Sequence, residues 1–369
     1  LDVTTSGALQ STGVLTVSGT TSINAQAGGF GAAASDVTLT TNNDFQGTVN
    51  AVTNGGAIRL TDRNALALGT ITGTGVTLNA GGNITQSGIY TATSGSTITT
   101  TGTGTVTLTN AGNDFGSNLQ INSAGSAALV DKNALMFGYG ASTVGGALSV
   151  TAGGDISQYL YDQGSAPITV TGDATFTVTA ANANLLLGAT DLQSVNQGAT
   201  NNIAGTVTLA KTGSGSFQDV QLRNTNANAA VLNGLTSVGQ LRNVKLRYDN
   251  APSVSLPGMT LTGNLQVYAN NGGITQSGAI VVNGINANGY STFLAGAGKD
   301  IVLTDTRNDF NRVTIPGGGS ASIADSNAIE LSSANGTFNV GTLSVTTNNG
   351  AITQGSNYNT TVSTATNLN

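Results

Sequence analysis

Three copies of one composite motif recur along the chain, and they limit the fold more than any other feature. Each copy opens with an alternating apolar triplet and runs on to Asn-Asp-Phe. Val37-Thr38-Leu39 leads to Asn43-Asp44-Phe45, Val106-Thr107-Leu108 to Asn113-Asp114-Phe115, and Ile301-Val302-Leu303 to Asn308-Asp309-Phe310. A fourth triplet, Val207-Thr208-Leu209, runs only to a degenerate Ser216-Phe217-Gln218-Asp219. Further along, the three full copies continue into Asp-x-Asn-Ala-Leu/Ile at Asp62 to Leu66, Asp131 to Leu135 and Asp325 to Ile329. Each of the four units then closes on a Gly/Asn turn and an Ile-Thr/Ser-Gln strand, ending at Gln86, Gln158, Gln276 and Gln354.

The units begin near 37, 106, 207 and 301, so their lengths differ while the motifs stay intact. That pattern puts insertions in loops and predicts one continuous coil over 1–369. Within a unit the beat is finer. Strand-like triplets fall at Val37, Ile58, Val76 and Ile98, and again at Val106, Ala128, Leu148 and Ile168, a spacing of roughly 20 residues. Between them lie Gly-Gly, Asn-Gly and Ser-Gly corners suited to positive φ. A turn of about 20 residues cannot bury its own apolar side chains, but turns stacked in parallel can. The expected fold is therefore all-β, a right-handed parallel β-helix with Val, Ile, Leu, Ala and Phe inward and Thr, Ser and Asn outward. Roughly 18 turns at about 4.8 Å per rung predict a rod of order 90 Å. An antiparallel sandwich is the rival, but hairpins give no such fixed recurrence.

Composition narrows the function classes. The charged fraction is 8% and Glu occurs once, at Glu330, which argues against exposed helical faces. The chain has no Cys and no His, so disulfide scaffolds, zinc ribbons and Ser-His-Asp chemistry are excluded. A formal net charge of -6 gives no basic footprint for nucleic acid. No apolar run reaches membrane-spanning length. A start at Leu1 and an end at Asn369 in mid-pattern read as a processed chain or a segment of something longer.

Taken together, Asn-Asp-Phe, Asp-x-Asn-Ala-Leu and Gly-Gly-x-Ile-Thr-Gln resemble the repeat region of the filamentous haemagglutinin family. Residues 37–105 carry the resemblance best, 106–170 and 301–355 well, and 207–290 in part. Those are large exoproteins of Gram-negative bacteria, secreted through a dedicated outer-membrane partner. The resemblance implies an extracellular β-helical shaft of an adhesin or contact-dependent inhibition protein, carrying a binding or effector tip. The family's secretion signature Asn-Pro-Asn-Leu does not occur in this chain, nor does a recognisable tip module. A subunit of an end-to-end stacked fibre is the alternative within the structural class.

Three constellations could carry chemistry. In the pairs Asp44 and Asp62, Asp114 and Asp131, and Asp309 and Asp325, the two members are separated by about one turn of the coil, which suits adjacent rungs at one corner. Such a pair can cap a turn through hydrogen bonds to backbone, hold a calcium ion, or raise one carboxyl pKa for catalysis. Repetition in three units favours capping, since an active site is usually built once. The one basic cluster is Arg242, Lys245 and Arg247, with Arg223 about one turn before Arg242. Period-2 alternation predicts Lys245 and Arg247 outward, with the Arg223 and Arg242 guanidinium groups stacked one rung apart. They form either a patch for acidic glycans or a solvated face balanced by Asp219 and Asp249. Phe45, Phe115 and Phe310 are expected in the core, while Tyr139, Tyr159 and Tyr161 are candidates for carbohydrate contact. No catalytic residue, cofactor or nucleic-acid partner is predicted. A β-helical enzyme or binding module acting on acidic polysaccharide is the rival function, and such an enzyme requires one irregular, charge-rich groove. Both ends of the coil are expected to meet further rungs, capping elements or other copies, because a naked terminal rung exposes unpaired backbone groups.

Overall fold

The computed structural model describes residues 1–26, 34–138, 140–159, 166–188, 199–284, 289–331, 337–355 and 359–368. Among these residues all regular structure is β-strand, with no helix. The strand pairs are parallel, each joining a strand to one a full turn later. Parallel partners separated by a single turn define a β-solenoid, of about 14 turns among the described residues.

The chain divides into two compact units, Leu1–Thr179 and Ala180–Asn369. In the first, Val37 pairs with Ile58 and Ile58 with Val76; further on, Ala127 pairs with Leu148 and Leu148 with Ala174. In the second, the series runs Val254, Ile274, Ile301, Ala321 and Leu343, each opposite the next. These columns are made of β-branched and aliphatic residues because the inward position of a pleated strand packs them against the rungs above and below. All of them are buried, none more than 2% exposed. Full burial of one Val, Leu or Ile stabilises by roughly 1.5–3 kcal/mol, and every turn contributes several.

The expected count of turns, which assumed a uniform length for each, is corrected by the register. Ile58 and Val76 are 18 positions apart, but Leu9 and Val37 are 28 apart and Ile274 and Ile301 are 27 apart. Corners absorb the additional residues without adding rungs. Ile168 shows the same effect, since it pairs with Ser142 and leaves Ala174 as the partner of Leu148.

Several buried polar side chains tie turns together, among them Asn43, Asn113 and Asn308. Where two turns meet most closely, glycine is required. A Cβ at Gly81 would overlap the Arg63 carbonyl, and one at Gly153 would overlap the Lys132 carbonyl. The Gly81 and Gly153 N–H groups each donate to the carbonyl of Asp62 and Asp131, both at 2.9 Å. The Gly-Gly corner of one turn thus lies directly on the Asp-x-Asn corner of the turn before it.

One stretch of the second unit departs from the regular wall. Phe217–Asn224 pairs with Asn243–Tyr248, but residues 226–240 between them form turns and bends, with Leu232, Leu235 and Val238 buried beneath. Ser253–Leu256 begins a six-stranded sheet and pairs with the strand Gly273–Gln276 on one side.

Candidate functional site

The three acidic pairs form one structure, built three times. In the first copy, Asp62 Oδ2 accepts from the N–H of Phe45 at 3.1 Å and Asp62 Oδ1 from the N–H of Asn64 at 2.9 Å. In the second, Asp131 accepts from Phe115 at 2.9 Å and Asn133 at 2.8 Å. In the third, Asp325 accepts from Phe310 at 2.7 Å and Asn327 at 2.9 Å. The carboxylate therefore caps its own corner with one oxygen and holds the preceding turn with the other.

The other carboxylate of each pair is held by the same Asn. Asn64 Nδ2 donates to Asp44 at 3.0 Å, Asn133 Nδ2 to Asp114 at 3.0 Å, and Asn327 Nδ2 to Asp309 at 3.2 Å. Arg63 forms a close ion pair with Asp44, and Lys132 reaches Asp114 at 3.3 Å. Asp62, Asp131 and Asp325 are buried, and Asp114 and Asp309 are half-buried. Burial raises the pKa of Asp62, Asp131 and Asp325; their backbone donors oppose the shift, and the Asp44, Asp114 or Asp309 carboxylate nearby adds to it. Asp44 is shifted the other way, by hydrogen bonds from Gln46, Asn64 and Arg63 against the effect of burial.

The buried Asn of Asn-Asp-Phe and the half-buried Gln86 and Gln276 of the Ile-Thr-Gln strands are polar ties that were not singled out as site residues from the sequence. Gln86 and Asn113 exchange amide hydrogen bonds at 2.8 and 2.7 Å, and Gln276 and Asn308 do so at 2.8 and 2.9 Å. Asn113 Oδ1 also accepts from Tyr90 N–H at 3.0 Å, and its Nδ2 donates to the Leu108 carbonyl at 3.1 Å. Asn308 does the same with Ile280 at 2.9 Å and Leu303 at 3.1 Å. The signal was the recurrence of both residues in the motif, an amide at a position otherwise facing an apolar interior.

All three Phe of the motif are core residues, with Phe115 tilted against Tyr90 at 5.2 Å and Phe310 edge-on to Phe293 at 5.8 Å. Tyr159 is half-buried; Tyr139 and Tyr161 lie outside the described residues. Among the described residues, no group of three Asp, Glu, His or Cys side chains is gathered in a form that could hold a metal.

The basic residues depart from the expected arrangement. Arg247 and Arg223 are buried, 2% and 4% exposed, where alternation placed Arg247 outward. Alternation stops at Leu246, and Leu246, Arg247 and Tyr248 are all buried as the strand runs into the corner at Asp249. Arg223 lies one rung from Arg247, and Arg242 is not its stacking partner. One carboxylate serves both buried guanidinium groups: Asp249 Oδ2 takes Arg223 Nε at 2.8 Å and Oδ1 takes Arg247 Nε at 2.6 Å, with Asn270 Nδ2 also on Oδ1 at 2.8 Å. Arg242 is exposed and pairs with Asp219 in a fork, Nε at 3.0 Å and Nη2 at 2.5 Å. Burial pushes the Asp219 carboxyl up, but the hydrogen bonds from Arg242 and Asn243 outweigh it and hold the pKa below the usual value. Lys245 is half-exposed between Gln221 and Gln266 on the adjoining rungs.

These side chains are arranged to stack turns, and each of the six paired carboxylates accepts at least one hydrogen bond from an adjacent turn. No curated protein and no solved structure matches the chain. A family model does match, over residues 1–52, 55–122, 124–193 and 241–315, leaving 194–240 and 316–369 outside. By that match over most of its length, and by the repeated motif whose bonds are described above, this chain belongs to the family of repeats of unknown function (DUF5649).

Proposed function

We propose that the chain is a structural shaft segment of a secreted bacterial cell-surface adhesin or filament, holding a binding or effector tip away from the cell. The observation that supports this most is that Asp44/Asp62, Asp114/Asp131 and Asp309/Asp325 perform the same task three times over. An enzyme concentrates its unusual titratable groups in one place. Here the carboxyls with raised pKa are spread one to each of the three full copies of the motif, and their oxygens accept from backbone N–H groups. A solenoid of this kind gains length by adding turns, each stabilised by its neighbours, which suits a spacer. Absence of Cys is compatible with passage through an outer-membrane partner as an unfolded chain that folds outside, each rung templating the next.

The resemblance to the filamentous haemagglutinin repeats supports the finer assignment: extracellular, Gram-negative, secreted through an outer-membrane partner. Immunogold electron microscopy of intact producing cells, with antibody to residues 37–105, tests it. Label along projections from the outer surface is expected, and duplication of residues 37–105 should lengthen those projections. Label confined to the cell interior, or projections of unchanged length, would overturn the reading.

A further inference from the structure

The irregular stretch 226–240 interrupts the wall of the second unit and leaves a strand with one open edge. Ser253–Leu256 pairs with Gly273–Gln276 and stands at the end of its sheet. The N–H of Ser277 donates to the Leu256 carbonyl at 2.8 Å. In a parallel ladder, alternate residues direct both backbone groups to the same side. Val254 and Leu256 therefore face Gly273–Gln276, and Ser253 and Ser255 direct their N–H and C=O to the open side. Residues 226–240 run past that side, yet no hydrogen bond joins them to residues 252–260 among the described residues.

The space left is a groove of about 730 Å³, lined on one side by residues 227–236 and floored by Ser253, Ser255 and Ser277. It adjoins a second groove of about 490 Å³ beside Met259 and Thr260, with Leu235 and Thr236 lining both. No charged and no aromatic side chain lines either one. Two of the chain's four prolines, Pro252 and Pro257, bracket the open strand. Proline has no N–H to offer, and its place at a sheet edge limits how far pairing can extend. What remains between them is a short, defined row of unpaired backbone groups.

We propose that this edge is a strand-addition site, at which an extended, uncharged segment of another polypeptide lies in the groove and hydrogen-bonds the backbone of Ser253 and Ser255. Backbone groups at an open edge recognise backbone, which gives affinity without side-chain charge. The small hydroxyls of Ser253, Ser255 and Ser277 leave room for alternate side chains of the added strand. A neutral glycan is disfavoured because no ring is present for a sugar face to stack upon. Between the prolines the edge is about 13–14 Å long, four residues at about 3.3 Å each, which sets the length recognised.

Amide hydrogen exchange by NMR and a binding titration test this on the whole chain. The probe is a capped, fluorescently labelled heptapeptide of alternating Thr and Val, with two controls N-methylated at every second residue in either phase. In the free protein, the Ser253 and Ser255 amides should exchange much faster than those of Val254 and Leu256. Saturating peptide should slow Ser253 and Ser255 by about tenfold or more, and one of the two N-methylated phases should lose affinity by about tenfold. Ser255→Pro removes an N–H that lies outside the existing ladder, so it should weaken the peptide similarly while circular dichroism stays unchanged; Ser255→Ala should bind as the parent does. Because the methylated peptides act on the ligand side, the test stands even if the proline variant does not fold. Ser253 and Ser255 amides already protected in the free protein, no binding at millimolar peptide, equal binding of both methylated phases, or maltoheptaose occupying the groove in place of peptide would each overturn the proposal.

Discussion

Asp131 accepts from two N–H groups, one from Asn133 in its own corner and one from Phe115 a turn earlier. Asp131→Asn keeps one acceptor but turns an NH2 group toward a donor, so a loss of about 1–3 kcal/mol is expected from urea titration. Asp131→Ala leaves both amides unpaired and should cost more. The carboxyl's protonation adds a signature. Because burial raises the folded pKa of Asp62, Asp131 and Asp325, folding takes up protons in a window that opens at the unfolded value of about 3.9 and extends upward. In that window stability falls as pH rises, so these three groups make the urea midpoint increase on acidification toward about pH 4. Asp44 and Asp219, with lowered values, and Asp305, held at about 2 by Arg307, act in the opposite sense: their contribution is present above about pH 4 and is lost below it. The Asp305–Arg307 pair is exposed on its arginine side and is screened by salt, so it contributes little. A midpoint that declines steadily from pH 7 to pH 4 would contradict the assignment for the three buried groups.

Between elements, the amide pairs and the glycine corners are the ties to test. Asn113→Ala removes the partner of Gln86, Tyr90 N–H and the Leu108 carbonyl together. It should cost more than Gln86→Ala, and a double-mutant cycle should return a coupling of about 0.5–3 kcal/mol. Gly153→Ala drives a methyl group into the Lys132 carbonyl, and a loss of about 1–3 kcal/mol or more is expected. At this scale the sequence was informative wherever a motif repeated. The parallel strand columns, the core Phe45, Phe115 and Phe310, and the capping of corners by Asp62, Asp131 and Asp325 all follow from local pattern. The second oxygen of each Asp was not legible, because its partner is the N–H of a Phe on the preceding turn that no local window associates with it. The number of turns was misread because corner length leaves no periodic trace, as Leu9 to Val37 shows. Arg247 was assigned outward because alternation was carried past Leu246 into a bend where it no longer holds.

For the molecule as a whole, every polar tie described is intrinsic to the chain. Addition of EDTA is expected to leave the melting midpoint unchanged; a fall on chelation, restored by calcium, would assign a structural ion to the Asp-Asn corners. The ties also have a direction. Phe45 finds its acceptor at Asp62, Tyr90 at Asn113, and Phe115 at Asp131. In these three ties the storey in front is completed by a group from the storey that follows it, while at Thr70 and Thr105 the later N–H finds its acceptor, Asn50 or Asn83, on the storey already laid. Under the proposed export, with the first residues foremost, the newest storey would hold the Phe45, Tyr90 or Phe115 N–H without its acceptor until the next storey arrived.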